Sequence, residues 1–270
     1  MIDPVPALFG LLVGFLVGLT GVGGGSLMTP FLVAVMGVPA PTAVGTDLTF
    51  ATLTKLTGSF QHFRQRTVNL ELAVFLGIGS IPAGLLGVGT LEWIKGAFDP
   101  AMVESIMVTI IAITLVVVGV SLIFREYFMP MVVPRGTRPP KPGAWTGKGP
   151  MSAQRRVLTV LLGAFGGYLV GLTSIGSGSV MAVLLLLFYP IAPAVIVGTD
   201  ITHAMVLSFV VGIAHMTQGN VNFGLAGTLL IGGIPGVLVG SRLAPHIPAK
   251  PLKAILAIML IFVGVRLLLA

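Results

Sequence analysis

Two carboxylates, one lysine and one histidine stand out because they lie inside hydrophobic runs of a chain in which only 9% of residues are charged. Asp47 and Asp200 each close a Val-Gly-Thr-Asp motif, at Val44–Asp47 and Val197–Asp200. Lys55 lies deeper in the first of these runs, and His203 follows Asp200 by three residues, on one helical face. An ionisable group facing lipid costs roughly 2.5–3.5 kcal/mol, so each should face a cavity or a partner. The chemistry open to them is proton or cation carriage by Asp47 and Asp200 and an anion contact by Lys55. A second reading is open for the aspartates: each follows a Thr near a helix start, where a carboxylate accepts backbone N–H bonds and complements the helix dipole. Lys55 lies two turns beyond Asp47, so the two are not an adjacent ion pair. Ser208 occupies the position equivalent to Lys55, and Phe50 the position equivalent to His203. The two half-sites are therefore chemically unequal.

A glycine-rich stretch accompanies each motif. Gly18–Met28 reads GLTGVGGGSLM and Gly171–Met181 reads GLTSIGSGSVM. Each interrupts a hydrophobic run too long for one ordinary membrane span, placing irregular backbone where lipid would forbid it. Glycine reaches conformations closed to other residues and lets a ligand touch the main chain. Ser26 and Ser179, each just after the last Gly, suit the N-cap of a following helix, and Pro30 is tolerated near a helix start. A helix N-terminus inside the membrane domain presents unpaired N–H groups and partial positive charge, which bind anions. Gly21, Gly23, Gly24, Gly25 and Ser26, with Gly176, Ser177, Gly178 and Ser179, are thus candidate substrate contacts. Close helix packing by small residues is the competing explanation.

The elements that position these groups are membrane helices. Of 270 residues, 55% are hydrophobic, and apolar runs of about 20 residues, enough to cross a bilayer, recur along the chain. The runs cover about 5–38, 42–63, 70–93 and 101–124, then 157–189, 192–216, 223–243 and 252–269. Between the two sets lies a Pro-rich, extended linker, dividing the chain into a first membrane repeat (1–124), the linker (125–156) and a second repeat (157–270). Sliding the chain by 153 positions aligns Gly14–Gly87 with Gly167–Gly240 without a gap, with 30 identities in 74 positions. That is an internal duplication. The net charge is +7, but seven basic residues from Arg125 to Arg156 against Glu126 supply +6 of it. Such a loop reads as a cytoplasmic topology determinant rather than a nucleic-acid surface, with anionic lipid headgroups as a lesser partner.

Homologous loops exchange basic character. Arg64 and Arg66 follow the second run of the first half, whereas the equivalent loop 217–222 is uncharged. One run later the first half has Glu92, Lys95 and Asp99, and the second has Arg242, Lys250 and Lys253. The positive-inside rule predicts this for halves of opposite orientation, with the N-terminus outside. Inversion needs an odd number of crossings per half, so each broken run either crosses twice or is re-entrant. The expected fold is an all-α polytopic membrane protein of two inverted-topology repeats, with about 8–10 membrane segments.

Several functions are disfavoured. There is no Cys, hence no disulfide, thiolate metal site or thiol nucleophile. No His/Glu spacing forms a metal site, and no Ser/His/Asp order or cofactor motif points to an enzyme. The start lacks the basic region of a secretory signal. His62 and His215 read as polar groups at span ends, Trp93 and Trp145 as interfacial or linker anchors, and the Met residues as packing.

Gly-x-Gly-Gly-Gly-Ser followed by Pro (Gly21–Pro30), the Val-Gly-Thr segment, His-x-Arg-x-x-x-Val-Asn (His62–Asn69) and their second-half echoes resemble the sulfite exporter TauE/SafE family of bacterial inner-membrane transporters. The resemblance covers nearly the whole chain outside the linker. It implies a secondary carrier moving sulfite, organosulfonate or a related sulfur-containing anion outward, with no cofactor. It also implies that the glycine-rich segments and the neighbouring Thr46 and Thr199 lie near the substrate. Many members have Ser where Asp47 and Asp200 stand, and the second cluster lacks the triple Gly. A homo-oligomer in the bilayer is compatible with these features.

Overall fold

The computed structural model describes residues 4–20, 25–124, 127, 149–176, 178, 180–189, 191–243 and 249–269. These form ten α-helices and no strand: α1 Pro4–Thr20, α2 Gly25–Ala34, α3 Ala40–Arg64, α4 Leu70–Ala97 and α5 Pro100–Ile123, then α6 Ala153–Thr173, α7 Val180–Phe188, α8 Pro193–Thr217, α9 Phe223–Leu243 and α10 Ala249–Leu269. Shifted by 153 positions, α3 superposes end for end on α8, the clearest trace of the duplication. Of the linker, only its last residues and Tyr127 are described, and Trp145 lies outside them.

Among the described residues six helices are long and apolar enough to cross a membrane: α4, α5, α6, α8, α9 and α10. At 17 residues α1 is shorter than that limit. Helix α3 has 25 residues, about 37 Å of helix, but Asp47, Lys55, His62 and Arg64 make it too polar to qualify by composition. Its polar residues are turned inward instead: Thr46, Asp47, Thr54, Lys55 and Ser59 are all buried. Helices α2 and α7, with 10 and 9 residues, are only about half the thickness of a hydrocarbon core.

The chain reverses at the first break. In one straight helix Phe9 and Phe31 would be about 33 Å apart, yet their rings stack with centroids 3.7 Å apart. Helix α2 therefore doubles back beside α1.

Contacts between the halves are reciprocal. Gly10 and Gly14 of α1 press on the backbone of Leu229 and Gly233 in α9, while Gly163 and Gly167 of α6 press on Leu76 and Ser80 of α4, the same pairs displaced by 153. Small residues let these backbones touch, the usual basis of helix association where lipid removes the hydrophobic drive. Helices α3 and α8 cross antiparallel, with Lys55 against Ser208 and Ser59 against Thr202. Helices α5 and α10 do the same, with Gly119 against Ala257 and Ile261, and Gly264 against Ala112 and Val116.

Capping is also duplicated. Asn69 accepts from the Leu72 N–H at the start of α4, and Asn222 from the Leu225 N–H at the start of α9. Asp99 caps α5 by accepting from Ala101 and Met102. The start of α3 is capped from outside its own segment: both carboxylate oxygens of Glu104 accept from the Ala40 N–H, at 3.1 and 2.9 Å.

A Cβ on Gly14 would lie 2.3 Å from the Gly233 carbonyl oxygen, whereas one on Gly89 would meet nothing within 4 Å. Gly14→Val should therefore destabilise the protein by about 1–3 kcal/mol through overpacking. Gly89→Ala should stay within about 0.5 kcal/mol. Thermal unfolding in detergent checks both.

Candidate substrate cavity

A cavity of about 560 Å³ enters between the halves, lined by Val17 and Gly18 of α1, Thr54 to Gln65 of α3, Gly178 of the second break, Val197 to Ala204 of α8, and Val237 to Arg242 of α9. Gln61, His62, Gln65, Ser241 and Arg242 stand at the helix ends around its mouth, and Lys55 and Asp200 line it deeper. Lys55 is ten residues, about 15 Å along α3, from Gln65. The Lys55 Nζ donates to the Ser208 hydroxyl at 3.3 Å. Because Ser208 is the repeat equivalent of Lys55, the lysine sits where the two halves cross.

The equivalent region of the other half is filled. Val44, Asp47, Leu48, Ala51, Val170, Leu207, Val211 and His215, the counterparts of eight cavity-lining residues, are each 0–1% exposed. Part of this follows from side-chain size: Thr54 and Gly58 of the open side are replaced by Leu207 and Val211. The cavity is consequently open at one end and shut at the other.

Asp47 belongs to the shut end. Its Oδ2 accepts from the Thr29 hydroxyl at 2.6 Å and from the Ser174 hydroxyl at 2.8 Å. Oδ1 meets no donor among the described residues. It is the eighth residue of α3, two turns beyond the helix start, so its carboxylate does not cap α3. The cap reading of the sequence fails at this position, and Glu104 fills that role from α5.

Thr46 and Thr199 are placed by a different logic. The Thr46 hydroxyl accepts from the Asn222 backbone N–H at 3.1 Å, and the Thr199 hydroxyl from the Asn69 N–H at 2.9 Å. Gly45 and Gly198 lie directly against the carbonyls of Asn220 and Thr67. Each Val-Gly-Thr motif thus docks the Val-Asn turn of the opposite half, which explains why both motifs are duplicated.

His203 is buried, with Nε2 2.7 Å from the Ser80 hydroxyl, while Nδ1 has no partner among the described residues. The equivalent pair is Phe50 packed on Gly233, so a polar pair in one half replaces an apolar one in the other. His215 is wholly buried rather than interfacial, and its Nε2 donates to the Gly171 carbonyl at 2.9 Å.

The two glycine-rich breaks meet: a Cβ on Gly25 would lie 2.2 Å from the Ser174 carbonyl oxygen. Ser26 is buried in the first turn of α2, and Gly178 reaches the cavity. Gly176 has φ +124° and Gly178 φ +107°, conformations that favour glycine. Gly21, Gly23, Gly24, Ser177 and Ser179 lie outside the described residues.

Sequence reasoning passed over Thr29, Ser80, Ser174 and Asn220 as site residues. The signal was available for the first three in the repeat alignment, where a hydroxyl stands opposite Ala182, Gly233 and Gly21. Asn220 also links Glu92 and Lys95 of α4: its Nδ2 donates to Glu92 at 2.8 Å and its Oδ1 accepts from Lys95 at 2.9 Å. No group of three metal-ligating side chains is present among the described residues.

Comparison with known proteins supports the same class. A family model described as Sulfite exporter TauE/SafE matches residues 7–267. The chain is 41% identical to the "Probable membrane transporter protein YjnA" of Bacillus subtilis (strain 168), over 97% of this chain and 98% of that protein. It is 25% identical to two further proteins of that organism, "Probable membrane transporter protein YdhB", over 95% and 96% of the two chains, and "Probable membrane transporter protein YunE", over 96% and 94%. No solved structure matches it. The chain belongs to the sulfite exporter TauE/SafE family and is a multi-pass membrane transporter.

Proposed function

We infer that the protein is a secondary carrier that moves a small sulfur oxyanion, sulfite or an organosulfonate, out of the cell by alternating access between two inverted halves. The observation that carries this reading is the one-sided cavity with Lys55 at its inner end, at the crossing of α3 and α8. A buried ammonium in a water-filled pocket is a site for an anion. Gly178 lines the same cavity. Thr46 and Thr199 contribute by fixing the halves against each other. The antiparallel pairing of α3 with α8 and of α5 with α10 supports inverted topology.

Orientation follows from charge. The mouth lies at the ends of α3 and α9, beside Arg64, Arg66 and Arg242, which the positive-inside rule places in the cytoplasm together with the linker. The site is then loaded from the cytoplasm of a bacterial inner membrane, as an exporter requires. A channel is disfavoured because the far end is filled by buried side chains, apolar ones such as Leu48, Leu207 and Val211 together with Asp47 and His215. Export against a gradient needs an energy source, and a carboxylate in the path, Asp200 in the cavity or Asp47 beyond it, can carry the coupled proton.

Two measurements test this. Sulfite should raise the unfolding temperature of the purified protein within a panel of sulfur and non-sulfur anions, since a ligand of the folded state stabilises it. Lys55→Gln should weaken that binding about tenfold or more, the effect of losing one charge-assisted hydrogen bond; undiminished stabilisation would remove Lys55 from the site. In proteoliposomes with an imposed pH gradient, the Asp47→Asn, Asp200→Asn protein should lose gradient-driven sulfite flux. Full retention would refute proton coupling through these groups.

A further inference from the structure

Lys55 lines the cavity at its inner end and Arg242 at its mouth. We propose that they serve two separate stations: the mouth is a recruiting site of its own, in which the guanidinium of Arg242 and the side-chain amides of Gln61 and Gln65 take up an oxyanion from the cytoplasm before it moves inward to Lys55. A guanidinium holds two oxygens of one anion at a time, so the station favours sulfonates and sulfite over monatomic anions. This rests on the carrier reading above and adds a first binding step to it.

Three observations carry the assignment. The first is spacing. Lys55 is buried, whereas Gln61, Gln65 and Arg242 are exposed. Gln65 is ten residues, about 15 Å along α3, from Lys55, so a small sulfur oxyanion cannot touch both. The second is that Arg242 differs from the other basic residues of its face. The Arg64 guanidinium lies over the Phe60 ring, 5.4 Å from its centroid, and neither Arg64 nor Arg66 is among the residues lining the cavity. Arg242 lies in the last turn of α9, where a cation complements the helix dipole whichever way it points, and a positive-inside signal needs only a basic loop. Neither requires it to line the pathway. Among the described residues Arg242 enters no ion pair.

The third observation is divergence between the halves. The repeat equivalents of Gln61, Ser241 and Arg242 are Ala214, Val88 and Gly89. Val88 is buried in the apolar core, so the duplicated scaffold has no need of polar groups at these positions. They have been acquired, or kept, where the cavity opens. An arginine at the mouth of a cleft with low-dielectric walls concentrates anions there, and because it is exposed its pull falls as salt rises. Asp200, the acidic residue among those lining the cavity, lies deeper, so an entering anion meets the cation first.

The chain has no Cys, so a single reporter thiol needs no background removal. Thr57 lines the cavity and is exposed, and its hydroxyl donates to the Thr54 carbonyl of its own helix at 2.8 Å. In inside-out membrane vesicles, Thr57→Cys is modified with an anionic sulfonatoethyl methanethiosulfonate and with its cationic trimethylammonium counterpart. The ratio of the anionic to the cationic rate measures the potential along the entry path. Adding Arg242→Gln should lower that ratio about tenfold at low ionic strength, and the effect should shrink at high salt. Lys55→Gln should lower it independently, the two factors multiplying in the double variant. In the Lys55→Gln protein, which retains the mouth, methanesulfonate should slow the anionic reagent more than chloride at the same ionic strength. Arg242→Lys should keep the ratio but weaken that protection, because an ammonium lacks the two-pronged geometry. The cationic rate, which should not fall, shows that each variant keeps an open cavity. An unchanged ratio in the Arg242→Gln protein would overturn the proposal. So would protection by methanesulfonate no greater than that by chloride, or factors for Arg242 and Lys55 that fail to multiply, which would merge the stations into one. Absence of sulfite and organosulfonate flux in proteoliposomes, with the labelling pattern intact, would count against the carrier reading alone.

Discussion

Each half of this protein accepts a backbone N–H of the other at the motif it carries. The Asn69 N–H is taken by Thr199 of the second half and the Asn222 N–H by Thr46 of the first. The two bonds tie the turn of each half to a helix of the other and so set the halves in one register. That register fixes the antiparallel crossing of α3 and α8 and brings Lys55 opposite its own repeat equivalent. The stacked small-residue seams of α1 with α9 and of α4 with α6 then follow as the flanks of the same arrangement.

Given that frame, the asymmetry between the halves acquires meaning. An exact duplicate would have two identical half-cavities and no preference between them. Here Leu207 and Val211 fill what Thr54 and Gly58 leave open, and Thr29 and Ser174, whose hydroxyls bond Asp47, are replaced by Ala182 and Gly21 in the other half. The duplication supplies a scaffold with two ends, and divergence at a few positions sets which end is open. Lys55 lies at the crossing itself, against its own repeat equivalent Ser208.

Much of this was legible in the sequence. The 153-residue offset gives the repeat, the hydrophobic runs give the helices, and the polar residues of α3 announce a buried face, because charge in a membrane run must find a partner. The helices on either side of the first glycine-rich stretch double back on each other, as the Phe9–Phe31 stack shows. What could not be read was which partner each polar group finds. Asp47 followed a Thr near a helix start and so resembled a cap, but its bonds run to residues 18 and 127 positions away, a relation fixed only by tertiary packing. Only the family resemblance puts Thr46 and Thr199 near the substrate, and in the fold their hydroxyls accept backbone N–H groups of the opposite half. A hydroxyl beside a glycine looks alike in sequence whether it meets a substrate or the backbone of the other half.

The central claim is that one cavity closes as its equivalent opens. Spin labels at Gln65 and Arg242 span the open mouth, and labels at their equivalents Gln218 and Gly89 span the shut end; all four positions are exposed. Pulsed electron–electron distance measurements on both pairs, with and without sulfite and a pH gradient, test the claim directly. The expected result is a reciprocal change, with the 65–242 distance shortening in the population whose 218–89 distance lengthens. Distances that stay fixed under transport conditions, or that lengthen together, would contradict it.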